Sequence, residues 1–220
     1  MILAELRRKV LDTAKLLPKY GLVWMAGGTV CARDPETGYV IVTPSGMPYD
    51  ELVPSDMTVT DIKMNLIEGK YRPSVALNLW TGFLSSRPDI HAIVHTHSPY
   101  ATAFSVINES IPIITETMAD WFGQPIPVAP YLSVEDERFA SMPIEVMGDG
   151  FGLLLGQHGP ITLGVTLEQA LERAVTLEEA AHTYAIAKTV GTPLVFTEQT
   201  ARSSFDYYHN RYGQRSENPD

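Results

Sequence analysis

His95-Thr96-His97 closes the apolar run Ile90-His91-Ala92-Ile93-Val94 and sets two imidazoles two residues apart. In a β-strand, residues i and i+2 project from one face, so this spacing lets both rings converge on one metal ion. A third histidine, His158, follows the apolar run Gly152-Leu153-Leu154-Leu155 in a loop bracketed by Gly156 and Gly159. Glycine freedom there lets an imidazole reach into a cleft. Three imidazoles with an open fourth position make the donor set of a catalytic zinc or similar divalent ion. From the residues alone, each histidine is also readable as a hydrogen-bonded polar residue at a strand end.

The elements that must position these histidines are legible as patterns. Leu3, Leu6, Val10, Leu11, Ala14 and Leu17 recur at helical spacing over residues 2–20, and Pro18 with Gly21 ends the pattern. Ala26 to Arg33 leads into a strand, Asp34-Pro35-Glu36-Thr37-Gly38 makes a turn, and Tyr39 to Thr43 forms the second arm of a β-hairpin. Thr43-Pro44-Ser45-Gly46 is a tight loop, and a strand or connector runs from Ser55 to near Thr60. Residues 74–86 read as a helix with Leu77, Trp80, Phe83 and Leu84 on one face. After the histidine strand, Ser98-Pro99 caps a helix running to about Val106. A buried strand at 152–155 ends at Gln157-His158-Gly159-Pro160, and the last clear helix runs from Thr166 to about Thr189, with Gly191 as its stop.

Composition sets the class. The 220 residues are 45% hydrophobic and 19% charged, enough for one core, and no repeat or linker divides them, which gives one mixed α/β domain. We expect that domain to occupy residues 1–200, followed by a polar tail over 201–220 that is partly mobile, above all from Gln214 to Asp220. A formal net charge of −10 argues against a nucleic-acid partner, which requires clustered Lys and Arg. Cys31 is the single cysteine, so a reducing compartment fits, and no segment approaches the roughly 20 apolar residues of a membrane span. A cytoplasmic location without membrane contact follows as the expectation.

The stretch Arg87-Pro88-Asp89-Ile90-His91-Ala92-Ile93-Val94-His95-Thr96-His97-Ser98-Pro99-Tyr100 resembles the signature of the class II aldolase/adducin-head family. Gly28-Thr29-Val30-Cys31-Ala32-Arg33 is similar to that family's GNVSxR segment, Thr43-Pro44-Ser45-Gly46 to its TPSG, Val128-Ala129-Pro130-Tyr131 to its APY and Gln157-His158-Gly159 to its NHG. The resemblance covers residues 3–195. It implies a central, mostly antiparallel sheet flanked by helices on both faces, and a divalent metal held by His95, His97 and His158. Zinc is the first choice, with manganese, iron and cobalt as alternatives. It also implies a homotetramer with active sites between neighbours, for which Trp121-Phe122 offers apolar surface. The reaction so implied is carbon–carbon bond breakage in a small molecule through a metal-stabilised enediolate.

Departures from the family pattern narrow the chemistry. The family's PSSE segment, with phosphate-binding serines and a catalytic acid, is matched here by Pro73-Ser74-Val75-Ala76. The acid is missing at Ala76. The asparagine that contacts phosphate aligns with Thr29, and a common histidine aligns with Trp80. We therefore expect a decarboxylase or retro-aldolase acting on a non-phosphorylated hydroxy or keto acid, aromatic if Val75, Ala76 and Trp80 line the pocket. A sugar-phosphate aldolase or epimerase with a substitute acid is the second reading. A non-catalytic adducin-like module is the third, and the intact histidines speak against it.

Substrate contacts are expected from Thr29, Thr43, Ser45, Gly46 and Ser74, whose hydroxyl and backbone groups can hold an anion. Tyr131 is the candidate proton donor, beside a structural use of its hydroxyl. In the aromatic tail segment, Tyr207, Tyr208 and His209 form a second candidate group, and Glu116 replaces the missing acid if its loop approaches the metal. His91 lies too early in its strand to bind, and His182 suits helix packing or surface.

Overall fold

The computed structural model describes residues 1–213. Eight strands form one sheet: β1 (Thr29–Arg33), β2 (Val40–Val42), β3 (Thr58–Thr60), β4 (Leu66–Glu68), β5 (Ala92–His95), β6 (Val128–Ala129), β7 (Gly152–Leu155) and β8 (Gly159–Gly164). Their order across the sheet is β4-β3-β2-β1-β5-β8-β7-β6. Every pairing is antiparallel except β6 with β7.

Side-chain alternation divides the core into two faces. Val30, Ala32, Ala92 and Val94 point to the face covered by α1 (Ala4–Lys19) and the first half of α6 (Leu167–Val190). Cys31 and Ile93 point to the other face, under α2 (Leu77–Ser86) and α5 (Met142–Met147). The expected α/β class, with a mostly antiparallel sheet between helices, is what the structure has. Around the second half of α6 pack α3 (Pro99–Val106), α4 (Glu116–Phe122) and α7 (Glu198–Arg211).

Several elements lie where no helix or strand was expected. β4, β6, α4 and α5 are short, from two to seven residues, and carry little periodicity. β8 begins at Gly159, within the loop expected to end the single strand at 152–155. The polar tail holds the largest correction: α7 spans 14 residues across the expected boundary at 200. Thr197 caps it, accepting from the Thr200 N–H at 3.1 Å. Its inward stripe is Ala201, Phe205 and Tyr208, an i, i+4, i+7 pattern of one small and two aromatic residues in otherwise polar sequence. Gln214 to Asp220, expected to be mobile, lie outside the described residues.

Of the Trp121-Phe122 pair, the structure withdraws only the second from the surface. Phe122 is buried in the helical layer and offers no surface, whereas Trp121 stays partly exposed with its ring 5.3 Å from Tyr208. Among the described residues no helix is long and apolar enough to cross a membrane.

Candidate metal centre

His95 is the last residue of β5 and lies directly opposite Thr29 of β1 and Ile161 of β8. Strand parity sends it to the α2 face, where its ring sits 5.4 Å from the Trp80 indole. Its Nδ1 lies 2.9 Å from the Pro160 carbonyl oxygen. A carbonyl only accepts, so the ring proton resides on Nδ1 and Nε2 keeps its lone pair for a ligand. Two residues on, the His97 Nε2 lies 3.2 Å from the His95 Nε2.

His158 completes the triangle from the β7–β8 turn, where Gln157 adopts φ +55° to bring the ring in. Its ring centroid is 4.7 Å from that of His95 and 5.0 Å from that of His97. Two glycines allow this close approach. A Cβ on Gly159 would stand 2.3 Å from the Thr96 carbonyl oxygen, and one on Gly28 would stand 2.8 Å from that of His95.

The three ligand-capable nitrogens lie within 4.8 Å of one another. For metal–nitrogen bonds of about 2.0–2.1 Å at a tetrahedral centre, nitrogens sit roughly 3.3 Å apart, close to the His95–His97 separation. Burial, reinforced by His158 and His97, holds the His95 pKa well below the ordinary histidine value. Burial and His97 lower that of His158 to about 4, and burial lowers that of His97. Neutral imidazoles at neutral pH are what a divalent ion requires, so donor type, spacing and protonation all fit a metal.

The triad opens into a cleft of about 160 Å³. Thr29, Ser45, Gly46 and Ser74 line it together with Val75, Ala76, Trp80 and Val134. Among the described residues no Asp, Glu, Lys or Arg side chain lines it. Ser74 is fully engaged: it accepts from the Trp80 Nε1–H at 3.1 Å and the Ala76 N–H at 3.4 Å, and shares a proton with the Thr29 hydroxyl at 3.2 Å. One donor and two acceptor positions are all a hydroxyl has.

Other expected residues fall elsewhere. The Thr43 hydroxyl is buried and accepts from the Val30 N–H at 3.3 Å, so it braces the β1–β2 hairpin and is absent from the cleft wall. Tyr131 is exposed and lines a small hollow beside the main cleft, which it shares with His158. Glu116, Tyr208 and His209 are also absent from the cleft wall of their own subunit. Glu116 opens α4, and the α7 rings of Tyr208 and His209 pack 5.3 and 6.1 Å from Trp121.

These residues belong to a second titratable group on the α4–α7 face that also contains Asp120, which sequence reasoning missed. Burial and the neighbouring Glu116 raise the Asp120 pKa, whereas burial and Arg173 lower that of His209. Its one sequence signal is the i, i+4 spacing from Glu116. Arg173 anchors the group from within, donating to the Trp121 carbonyl at 3.0 Å and the Leu163 carbonyl at 2.7 Å.

His91 lines a larger hollow of about 550 Å³ at the opposite end of the strands, where its Nδ1 accepts from Arg33 Nε at 3.4 Å. His182 stacks on Tyr100 at 3.9 Å. Neither reaches the triad.

Known proteins share this architecture. The class II aldolase and adducin N-terminal domain matches residues 8–185. The L-ribulose-5-phosphate 4-epimerase UlaF of Salmonella paratyphi B is 32% identical over 226 aligned positions, covering 98% of this chain and 96% of that protein. Among solved structures, an L-fuculose 1-phosphate aldolase superposes with a TM-score of 0.89 at 27% identity, covering 93% of this chain and 96% of that one. YgbL of Escherichia coli superposes at 0.83 with 25% identity, covering 92% and 98%.

Proposed function

This chain belongs to the class II aldolase and adducin N-terminal domain family, and from that premise we propose that it is a metal-dependent lyase acting on a small, non-phosphorylated hydroxy or keto acid, by decarboxylation or retro-aldol cleavage. The carrying observation is the cleft wall. Among the described residues of the subunit it has no cationic side chain to neutralise a phosphate dianion and no carboxylate to take a proton from carbon, and the Trp80 indole holds Ser74 from behind.

A divalent ion on His95, His97 and His158 would supply Lewis acidity toward chelating substrate oxygens. Zinc suits three imidazoles, as do manganese, iron and cobalt. The remaining work falls to the chain. The Nδ1–H bond to Pro160 orients His95, while Ser45 and the Gly46 backbone offer polar contacts at the cleft mouth. Val75, Val134 and Trp80 make one wall apolar, which suits an aromatic or aliphatic substituent. A cleft of about 160 Å³ takes a small substrate. Loss of carbon dioxide requires only a later protonation, for which Tyr131 is the nearby hydroxyl. Glu116, Tyr208 and His209, remote from their own triad, would act in a neighbouring copy of a homotetramer. The buried lone Cys31 suits a cytoplasmic setting.

The sugar-phosphate reading has two specific supports, the 32% identity to an L-ribulose-5-phosphate 4-epimerase and the TM-score of 0.89 to an L-fuculose 1-phosphate aldolase. The two readings separate in one assay. Metal-loaded protein is offered a panel of hydroxy and keto acids alongside sugar phosphates, with carbon dioxide, carbonyl products and epimers measured. Turnover of the free acids is expected. Turnover confined to phosphorylated sugars would overturn the proposal in favour of the epimerase–aldolase class.

A further inference from the structure

We infer that Glu178 is a positioning residue for the metal centre, acting through α3, the helix that joins the two chain segments carrying the histidines. The inference rests on the reading of the triad as a metal site. α3 begins two residues after His97, and its first N–H groups have no partner within the helix. Ser98 stands at the cap position, yet its side chain caps nothing; its hydroxyl accepts from the Thr96 hydroxyl at 3.4 Å. The cap comes instead from 77 residues away: Glu178 Oε2 accepts from the Ala101 N–H and Oε1 from the Tyr100 N–H, both at 2.9 Å. A carboxylate bridging two backbone donors at a helix N-terminus makes charge-assisted bonds aligned with the helix dipole.

The two ends of α3 address the two arms of the triad. The N-terminal end continues directly from His95-Thr96-His97. Near the other end, the Ser105 carbonyl accepts from the Gln157 N–H at 3.2 Å. Gln157 holds the left-handed conformation that presents His158. A rocking of α3 would therefore shift both arms, and Glu178 ties α3 to α6, whose first half is packed into the core beneath the sheet. Ala101 and Phe104 keep α3 packed apolarly without Glu178, so its variants are expected to fold.

A cap with no bearing on the metal would change stability alone. The test is therefore zinc affinity, measured on the full chain by competition with a chromophoric chelator, together with the visible spectrum of the cobalt-substituted protein. Glu178→Ala is expected to weaken zinc binding about 10- to 100-fold, the range for groups that orient ligands, and to alter the cobalt bands. Glu178→Gln keeps one acceptor and is expected to lose about three- to tenfold. Asp61→Ala, which unties the remote β3–β4 turn where Asp61 accepts from Lys63 and Asn65, is the stability control. Zinc affinity in Glu178→Ala within twofold of the parent, or a loss matched by the control, overturns the inference. If Glu178→Ala does not fold, an unchanged affinity in Glu178→Gln overturns it equally. A parent protein that binds no zinc or cobalt defeats the metal reading itself, and the inference falls with it.

Discussion

Gly159→Ala is the smallest perturbation that should separate the histidine arms. Gly159 opens β8 immediately after His158, and an added Cβ would stand 2.3 Å from the Thr96 carbonyl oxygen and 3.2 Å from His97 Cδ2. Carbon–oxygen contacts settle at about 3.3–3.6 Å, so roughly 1 Å must open between these segments. They cannot part freely, because the Thr96 N–H donates to the Pro160 carbonyl at 3.1 Å and His95 pairs with Ile161 across the ladder. Forcing a methyl into such packing costs about 1–3 kcal/mol. The wedge sits between His97 and His158, and metal ligand distances tolerate only about 0.2 Å, so zinc binding should weaken beyond the stability loss and activity should fall about 100-fold. Urea unfolding in chelator gives the first quantity and zinc competition the second. Gly191→Ala is the control: its φ is extended, a Cβ there meets nothing within 4 Å, and a change within about 0.5 kcal/mol is expected. If the two variants unfold at one urea concentration and bind zinc alike, the close approach of Gly159 to Thr96 does not set the triad.

Trp80→Phe removes the indole N–H from Ser74, with a stability loss of about 1 kcal/mol. The released hydroxyl should strengthen inhibition by inorganic phosphate severalfold, and an unchanged inhibition constant would show that Trp80 does not govern anion entry. In chelator-treated protein, acid should destabilise the fold through the triad. The His158 pKa is about 4 in the fold against 6.5 unfolded, so the unfolded chain takes the proton first. Stability is then full above pH 6.5 and falls toward pH 4 by about 3 kcal/mol for that residue, and His158→Gln should flatten the urea-midpoint profile. His95→Gln should lower bound zinc per chain in metal analysis by well over tenfold, because it removes the Nε2 that the Nδ1–H bond to Pro160 leaves free to ligate; full zinc content would argue for a different ligand set.

The strand pair carrying the triad was readable because parity and apolar runs depend only on neighbours in sequence. The histidine strand, the hairpin before it and the long α6 all follow from such local signals. What escaped depended on distant partners. Nothing near Ser98 says that its capping role passes to Glu178, and nothing near Thr43 says that its hydroxyl turns inward to the Val30 N–H. α7 was hidden for a related reason: two aromatics and an alanine make a weak stripe alone, sufficient only because α4 presents Trp121 and Gly123 to receive it. That helix takes Tyr208 and His209 into a cluster away from their own triad, an outcome settled by packing between elements.

Ala76 brings no carboxylate to the cleft it lines, and on the proposed reading that bears on which bond can break. A carboxylate in the cleft would partly offset the charge of a bound divalent ion and would serve as base toward a C–H bond. With none among the described residues of the wall, the proposed substrate's own carboxylate would be the counter-charge to an ion held there, beside imidazoles that burial keeps neutral. Attraction between opposite charges is strongest where water is few and competing charge is absent. On the proposed reading, such a cleft would take an anionic acid and release a carbon substituent in preference to removing a carbon-bound proton. The Trp80–Ser74–Thr29 chain acts in the same direction, since a hydroxyl already engaged by the indole N–H and its neighbours gives little to a phosphate.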